Sequence, residues 1–289
     1  MNLDRLHHHL ATYPLAVAPT LRGLRPQLKI HYVETLSSTN QTLWDMARQG
    51  ATSGTVVVAG QQTAGRGQRG KPWVSSPGGI YVSMLLTPDR ANTIAPPLTL
   101  ATGWGIATLL RQWPVPVEIK WPNDLVVRAV ANPTQLLKLG GILIETRSAG
   151  PRLTQAVVGV GINYRNRLPT GAISLSSLAP PTAARAIPNR SIEFAIATVL
   201  MGIWQGICWY QQVGPAKFIP AYEALLAHLG QPIQTGENIG QVIGITQDGG
   251  LRVRYLNPMP GPTPRPEIAV LSTEQVSLSY NVAELNRMV

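Results

Sequence analysis

The segment Lys120-Trp121-Pro122-Asn123-Asp124 lies at the junction of two short predicted strands, residues 117–120 and 125–127. Pro and Asn are typical of turns, so the pattern predicts a β-hairpin that presents polar side chains at one end. Asp124 is one of only 14 acidic residues in the chain and lies close to a lysine. A carboxylate beside an amide and an ammonium group suits a site for Mg²⁺ and nucleotide phosphates. An Asx-turn without a ligand explains the pattern equally well.

A second segment, Gly65-Arg66-Gly67-Gln68-Arg69-Gly70-Lys71-Pro72-Trp73, has three glycines and three cations in its first seven residues. Glycine lets backbone N–H groups approach a ligand, and the arginine fork matches phosphate or carboxylate oxygens. The composition favours an anion-binding loop over a solvated basic loop or a nucleic-acid patch. The glycine spacing differs from that of a P-loop and from that of a dinucleotide site.

Three further segments place polar residues or glycines where predicted elements begin or end. Ser37-Ser38-Thr39-Asn40 precedes a helical pattern at residues 41–47, and such hydroxyl groups are typical of helix N-caps. Lys138-Leu139-Gly140-Gly141-Ile142-Leu143 opens an apolar strand, and Gly159-Val160-Gly161-Ile162-Asn163 closes another. Each signal is weak alone, because lysines and glycines at strand ends are common.

The composition limits the possible classes of function. The chain has 289 residues, of which 44% are hydrophobic and 13% charged, and this excludes a disordered chain or a disulfide-stabilised miniprotein. A net charge of +10 indicates an anionic partner, such as nucleic acid, a membrane surface or a phosphate-bearing ligand. Cys208 is the only cysteine, and three of the five histidines form a tract at residues 7–9 that we expect to be an exposed tail. Chemistry must therefore come from Lys, Arg, Asn, Asp and backbone groups.

The sequence pattern changes near Gly230 from long apolar helices to short strands separated by glycines. This change predicts a domain boundary. Apolar helices are expected at residues 192–211 and 216–229. The first indicates a buried helix rather than a membrane span, since it contains Glu193 and Gln205. The N-terminus lacks a basic and apolar leader pattern, so the expected compartment is the cytoplasm.

In this order the segments resemble the biotin protein ligase family, whose members attach biotin to acyl-CoA carboxylases. The matching motifs are Ser38-Thr39-Asn40, Gln62-Thr63-Ala64-Gly65-Arg66-Gly67, Trp73, Lys120-Trp121-Pro122-Asn123-Asp124, Lys138-Leu139-Gly140-Gly141-Ile142-Leu143 and Gly159-Val160-Gly161-Ile162-Asn163. The resemblance implies an α+β fold: a mixed β-sheet with helices on one face, like class II aminoacyl-tRNA synthetases, and a small C-terminal SH3-like β-barrel. The expected domains are an N-terminal extension (1–30), a catalytic domain (31–230) and a small β domain (231–289).

The resemblance also implies a two-step reaction that consumes ATP. The biotin carboxylate attacks the α-phosphate of Mg-ATP and gives biotinyl-5′-AMP and pyrophosphate. A lysine of a carrier protein then attacks this mixed anhydride and releases AMP. The expected acceptor is the biotin carboxyl carrier protein of acetyl-CoA carboxylase. Such chemistry depends on charge stabilisation and alignment, so the scarcity of histidines is no objection.

The site residues implied by the resemblance fall into three groups. The catalytic residues are Lys138, Arg66 and Asp124. The biotin-binding residues are Ser38, Thr39, Asn40, Gln62, Gly65, Arg66, Lys138 and Gly141. The residues that bind ATP or the adenylate are Arg66, Arg69, Lys71, Trp73, Lys120, Asn123 and Asn163. Asp124 would position either Mg²⁺ or the incoming lysine.

The sequence departs from the family pattern in the basic loop. The best-known bacterial members read Gly-Arg-Gly-Arg-Arg-Gly there, whereas this chain has Gln68 in place of the second arginine. We expect the adenylate to be retained nonetheless, because Arg66, Arg69 and Lys71 are present. Residues 128–137 and 258–266 are longer than usual. The first 37 residues show no helix-turn-helix pattern, so no DNA-binding function is expected.

Other functions are less compatible with the motifs. A lipoate or octanoate ligase or transferase shares the fold but does not typically carry both the basic loop and the Lys120–Asp124 segment. A nucleic-acid-binding protein would spread its cations over a face with interleaved aromatics, whereas the densest cluster here is a single loop. Family members occur as monomers and as dimers through the sheet edge, so a homodimer is one expectation, and no membrane association is expected.

Overall fold

The computed structural model of the protein describes residues 1–14, 25–87, 95–113, 115–150, 152–178, 191–235, 238–255 and 268–282. The long Pro-rich segment at residues 258–266 lies outside these ranges. Two β-sheets organise the described part of the chain.

The larger sheet has seven strands. They are β1 (Lys29–Leu36), β2 (Thr55–Gln62), β3 (Ile80–Leu86), β4 (Glu118–Lys120), β5 (Asp124–Arg128), β6 (Leu136–Ala149) and β7 (Arg152–Ile162). Their order across the sheet is β1-β2-β3-β7-β6-β5-β4. Only the β1–β2 pair is parallel, so the predicted mixed sheet is confirmed. The tight β4–β5 connection is the predicted hairpin.

Helices cover both faces of this sheet, so the expectation of helices on one face is wrong. In the part of the chain that the structure describes, the α-helices are α1 (Leu3–Thr12), α2 (Thr39–Arg48), α3 (Ala95–Arg111) and α4 (Ile192–Glu223). In β2, Val56 and Val58 belong to the core formed with α3 and α4, whereas Val57 packs with Leu43 and Trp44 of α2. Adjacent residues of a strand face opposite sides, so α2 lies on the face away from α3 and α4.

The helix α4 is the long apolar segment that the sequence predicts as two helices. Gly214 interrupts its helical geometry with φ 71°, close to the predicted break. By length and composition α4 could cross a membrane, and within the described residues it is the one helix that could. Its most apolar 18-residue window is 72% buried inside the fold, which is typical of a core helix.

The N-terminal residues form a docked helix rather than the expected exposed tail. In α1, Leu6 is fully buried, and the Asn2 side chain accepts a hydrogen bond from the Arg5 amide at the helix start. The Asn2 amide donates to Glu193 Oε1 of α4 at 2.9 Å. The His9 ring stands edge-on to Phe194, with ring centroids 5.3 Å apart. Leu6, Leu10 and Tyr13 all pack on this core, and their spacing of four and three residues was a helical signal available in the sequence.

The second sheet lies after Gly230. Its strands are β8 (Pro232–Thr235), β9 (Asn238–Ile245), β10 (Leu251–Tyr255) and β11 (Ile268–Leu271), all antiparallel. The described residues form a separate four-stranded sheet, and closure into an SH3-like barrel is not confirmed. The domain boundary near Gly230 stays a prediction.

Glycines set the close packing between α3 and α4. A Cβ on Gly105 would lie 2.1 Å from the Gly202 carbonyl oxygen, whereas one on Gly103 would lie 3.5 Å from Ile142 Cδ1. We expect Gly105→Ala to lower the free energy of unfolding by about 1–3 kcal/mol, because the helices must separate. Gly103→Ala on the same helix should be neutral or slightly stabilising. Urea denaturation measures both, and equal effects would contradict this account of the helix contact.

Candidate active site

A polar pocket forms where α2 begins and β2 ends. Ser38 occupies the N-cap position of α2 but makes no capping hydrogen bond with its side chain. Thr39 follows, and its amide donates to Gln62 Oε1 at 2.8 Å. The Gln62 amide group donates in turn to Ser75 Oγ at 2.7 Å. Ser38, Thr39 and Asn40 are all buried, so four predicted biotin-binding residues line one enclosed polar site.

Two residues that the sequence analysis missed complete this hydrogen-bond network. Ser83 of β3 donates to Asn40 Oδ1, and the two oxygens are 2.6 Å apart. The Asn40 amide group donates to Glu145 Oε2 at 2.7 Å. Ser83 is the polar residue of an otherwise apolar strand interior, and this was the signal available in the sequence. Glu145 also accepts from Arg66 Nη2 at 3.0 Å, which connects the basic loop to the pocket.

The basic loop is folded back on itself. The Gly67 amide donates to the Lys71 carbonyl at 2.7 Å, and the Trp73 amide donates to the Gly65 carbonyl at 2.9 Å. Arg69 has φ 56°, a left-handed conformation uncommon for a residue other than glycine. A Cβ on Gly65 would lie 2.4 Å from the Trp73 carbonyl oxygen, so a larger residue would disrupt the fold-back.

Trp73 packs against the glycines of the two central strands. A Cβ on Gly161 would lie 2.4 Å from the Trp73 indole nitrogen, and one on Gly141 would lie 3.3 Å from the ring. Position 161 therefore requires glycine for the indole to fit, whereas a Cβ at position 141 would need the ring to shift by only a few tenths of an ångström. Lys138 Nζ lies 5.1 Å from the centroid of the Trp73 ring. The buried indole nitrogen has no hydrogen-bond partner among the described residues.

Four charged or polar groups meet at the β4–β5 hairpin, and we call them the Asp124 cluster: Asp124, Lys120, Lys138 and Tyr280. Asp124 Oδ1 lies 2.7 Å from Lys138 Nζ, and Oδ2 lies 3.4 Å from Lys120 Nζ. The Tyr280 hydroxyl donates to Oδ2. The register that pairs Lys120 with Asp124 in the hairpin, and Asp124 with Gly141 in β6, brings the two lysines to the same carboxylate.

The cluster holds its charges in a desolvated environment. Burial alone would raise the pKa of Asp124. The positive charges of Lys138 and Lys120 and the hydrogen bonds from Lys138 and Tyr280 outweigh it and hold this pKa below its usual value. Burial lowers the pKa of Lys120, although the Asp124 charge opposes this shift. Asp124 is therefore ionised near neutral pH. It accepts hydrogen bonds but has little tendency to take up a proton.

The donor set does not fit a magnesium ion held by the protein alone. Both Asp124 oxygens already accept from cationic or hydroxyl donors. Among the described residues no group of three or more His, Cys, Asp or Glu side chains could hold a metal. An ion at this corner would depend on oxygens brought by a ligand, as Mg²⁺ commonly does.

The two asparagines that were predicted to bind ATP, Asn123 and Asn163, donate hydrogen bonds to the backbone of neighbouring strands. The Asn123 amide group donates to the Ile142 carbonyl at 2.9 Å, and Asn163 donates to the Lys138 carbonyl at 3.2 Å. Asn163 thereby fixes the strand that carries Lys138. Its contact with a nucleotide stays a prediction.

The polar pocket opens onto a larger cleft of about 830 Å³. The predicted residues that line the pocket are Ser38, Thr39, Asn40, Gln62, Arg66, Trp73, Asn123, Lys138 and Gly141. Those that line the cleft are Arg69, Lys71, Trp73, Lys120, Asn123, Asp124 and Lys138. Trp73, Asn123 and Lys138 belong to both linings, so Lys138 lies at the junction of a pocket lined mainly by neutral polar groups and a cationic cleft.

Comparison with known proteins gives a single family. Residues 32–163 match the model of the Biotin/lipoate A/B protein ligase family. The chain carries a biotin/lipoate ligase domain. It is 34% identical over 138 residues to the bifunctional ligase/repressor BirA of Bacillus subtilis, covering 47% of this chain and 40% of that protein. It is 28% identical over 212 residues to the biotin–[acetyl-CoA-carboxylase] ligase of Paracoccus denitrificans, covering 68% of this chain and 83% of the relative.

A solved structure shares the fold over most of this chain. The biotin protein ligase of Aquifex aeolicus, in complex with biotin and ATP, superposes with a TM-score of 0.65 at 23% identity. The match covers 86% of this chain and 97% of that one, and it establishes the fold. The chain spans about 40% of the length of the Bacillus subtilis relative.

The tyrosine of the Asp124 cluster lies far outside the matched domain. Tyr280 follows the second sheet, in a segment that returns to the ligase domain, and no motif in the sequence marks it. Buried His228 anchors this segment, because its Nε2 lies 3.0 Å from the carbonyl oxygen of Ser279.

This anchor makes stability depend on acid pH. Burial lowers the pKa of His228 from 6.5 to about 4, so the folded state favours the neutral ring while the unfolded chain binds a proton. The contribution of the neutral His228 ring to the free energy of unfolding is complete above pH 6.5, the pKa in the unfolded chain. It is lost as the pH falls from 6.5 towards 4. When the pH is lowered from 7.5 to 4.5, we expect the free energy of unfolding to fall by about 2–3 kcal/mol because of His228.

The variant His228→Gln keeps a donor for Ser279 but cannot titrate. Urea titrations at pH 7.5 and pH 4.5 give the free energy of unfolding at each pH. The decrease between the two pH values should be about 2–3 kcal/mol smaller in this variant than in the unaltered chain. The matched control, His31→Gln on the exposed edge strand β1, should keep the full loss. Equal losses in all three proteins would rule out His228 as the titrating anchor.

Proposed function

We propose that the protein is a biotin–protein ligase that activates biotin with ATP and transfers it to a lysine of a carrier protein. The observation that carries the proposal is the position of Lys138 between the polar pocket and the cationic cleft. A molecule with an uncharged polar head and a carboxylate tail would place that tail beside Lys138, where the phosphates of a nucleotide in the cleft would also lie.

The polar pocket supports biotin as the acid. A ureido group offers two N–H donors and one carbonyl acceptor, and the pocket provides the hydroxyl and amide groups of Ser38, Thr39, Asn40 and Gln62. An aliphatic lipoyl or octanoyl chain would displace water from these groups and offer them no hydrogen-bond partner in exchange, which is costly. The pocket therefore favours biotin over the other acids that the family name includes.

In the first step, a carboxylate oxygen of biotin attacks the α-phosphorus of ATP, and the bond to pyrophosphate breaks. Negative charge develops on the phosphate oxygens, and Lys138 and Lys120 are placed to stabilise it without moving far. Arg69 and Lys71, on the basic loop, would contact the phosphates from the other side of the cleft. Mg²⁺ would enter with the nucleotide, held mainly by its phosphates.

In the second step, the neutral amine of the carrier lysine attacks the biotinyl carbonyl carbon and AMP leaves. The low pKa of Asp124 makes it a weak base. We assign it the task of orienting the two lysines and the incoming amine, and the amine's proton leaves to solvent or to the departing phosphate. Alignment of this kind supplies much of the rate enhancement in group transfer.

The partners and location follow as parts of the same proposal. The acceptor is the biotin carboxyl carrier protein of acetyl-CoA carboxylase, in line with the name of the Paracoccus denitrificans relative, a biotin–[acetyl-CoA-carboxylase] ligase. The place of action is the cytoplasm, without binding to DNA or membrane. A homodimer through the sheet edge is compatible with the exposed strand β1.

A mass-spectrometric assay tests the proposal. The protein is mixed with biotin, Mg-ATP and an apo-carrier domain, and parallel reactions contain lipoate or octanoate in place of biotin. We expect a biotinyl adduct that requires ATP and no lipoyl or octanoyl adduct. Absence of the biotinyl adduct at saturating substrate, or a preference for either aliphatic acid, would reject the proposal.

Lys138 should be essential to the first step. We expect Lys138→Ala to reduce biotin-dependent pyrophosphate release to near background, because charge at the reacting phosphate is no longer stabilised. Lys217→Ala, which removes an exposed lysine of α4, is the matched control and should keep normal release. Thermal melts of both variants report on folding. Normal release from a folded Lys138→Ala protein would refute the assigned role.

A further inference from the structure

Tyr280 enters the cleft from outside the ligase domain and touches two members of the Asp124 cluster. Its hydroxyl donates to Asp124 Oδ2, and Lys120 Nζ lies 4.4 Å from the centroid of its ring. A tyrosine can make both contacts at once, because its hydroxyl group donates a hydrogen bond while the face of its aromatic ring attracts a cation.

The backbone around Tyr280 is fixed to the hairpin that follows β5. The Leu136 amide donates to the Tyr280 carbonyl at 2.7 Å, and the Val282 amide donates to the Thr134 carbonyl at 2.8 Å. Val282 is itself buried. The backbone at Tyr280 is thus held by the connection between β5, which begins at Asp124, and β6, which carries Lys138.

The distances indicate what the tyrosine does. A lysine beside a carboxylate normally approaches to about 2.7–2.9 Å, as Lys138 does at Asp124 Oδ1. Lys120 stays 3.4 Å from Oδ2, the oxygen that the Tyr280 hydroxyl occupies. The ring meanwhile offers Lys120 a weaker attraction that uses none of its N–H donors. The ammonium group therefore gives only one long hydrogen bond, 3.4 Å, to Asp124 Oδ2 and keeps its other N–H donors for an anion in the cleft.

We infer that Tyr280 is a positioning residue for nucleotide phosphate binding: it occupies Asp124 and steers Lys120 towards the cleft. The inference rests on the proposed function, because it takes ATP as the anion that Lys120 meets. It also gives the segment after the second sheet a role in the ligase site.

The substitution Tyr280→Phe tests this inference, since it removes the hydroxyl and keeps the ring. Lys120 should then close onto the released carboxylate oxygen and bind phosphate less well. We expect the dissociation constant of an α,β-methylene analogue of ATP, measured by calorimetry with biotin present, to rise about tenfold. The biotin dissociation constant should not change. In the biotinylation assay kcat/KM for ATP should fall by at least the same factor, because Lys120 also stabilises the charge that develops in the first step.

Two comparisons separate positioning from a structural role. Tyr255→Phe removes a hydroxyl from β10 of the second sheet, outside the cleft, and should change neither the analogue's affinity nor the thermal stability. In a Lys120→Met background, Tyr280→Phe should have no further effect on analogue binding, because the tyrosine acts through Lys120. Equal analogue affinity in Tyr280→Phe and the unaltered chain, or additive effects in the double variant, would overturn the inference.

The same measurements keep this inference distinct from the proposed function. If the unaltered chain biotinylates the carrier but Tyr280→Phe binds the analogue normally, the role of Tyr280 is wrong and the ligase proposal stands. If the chain binds the analogue, with the expected tenfold loss in Tyr280→Phe, but transfers no biotin, the ligase proposal is wrong and the phosphate-binding role stands. A chain that binds no ATP analogue contradicts both.

Discussion

The buried carboxylate of Asp124 constrains the rest of the site. An ionised carboxylate away from water is unfavourable unless cations and hydrogen-bond donors surround it, and removing one partner of such a group is strongly destabilising. Lys138 from β6, Lys120 from β4 and Tyr280 from the segment after the second sheet meet this requirement together. The carboxylate thereby ties three distant parts of the chain to one point, and the cleft takes its shape from them.

The charge balance at this point gives the cleft its chemistry. Two ammonium groups face one carboxylate, so the cluster carries a net positive charge before the basic loop adds Arg69 and Lys71. In a partly desolvated cleft this excess favours phosphate oxygens strongly. The adjoining pocket contains neutral hydroxyl and amide groups around Asn40, with Glu145 paired to Arg66 at its edge. One side of Lys138 therefore suits an uncharged polar head, and the other suits polyanions.

The sequence predicted the parts of the site that are local and failed where distant segments meet. The Lys120–Asp124 hairpin, the basic loop and the glycines before Ile142 follow from turn chemistry and from the need for close backbone approach. Tyr280 carries no local signal, and Ser83 is marked only as a polar residue in an apolar strand, because their roles arise when strands and the C-terminal segment pack together. The side of the sheet that α2 covers was missed for a similar reason: a buried central strand is apolar on both faces, and its pattern does not say which helix lies where.

The central claim is that Lys138 joins an acid-binding pocket to a nucleotide-binding cleft, so that the two ligands react there. Exchange of labelled pyrophosphate into ATP measures that reaction directly, without any carrier protein. The account predicts exchange that requires biotin, is absent with octanoate, and is lost in a folded Lys138→Ala protein. Exchange that proceeds without an added acid, or that persists unchanged when Lys138 is removed, would contradict it.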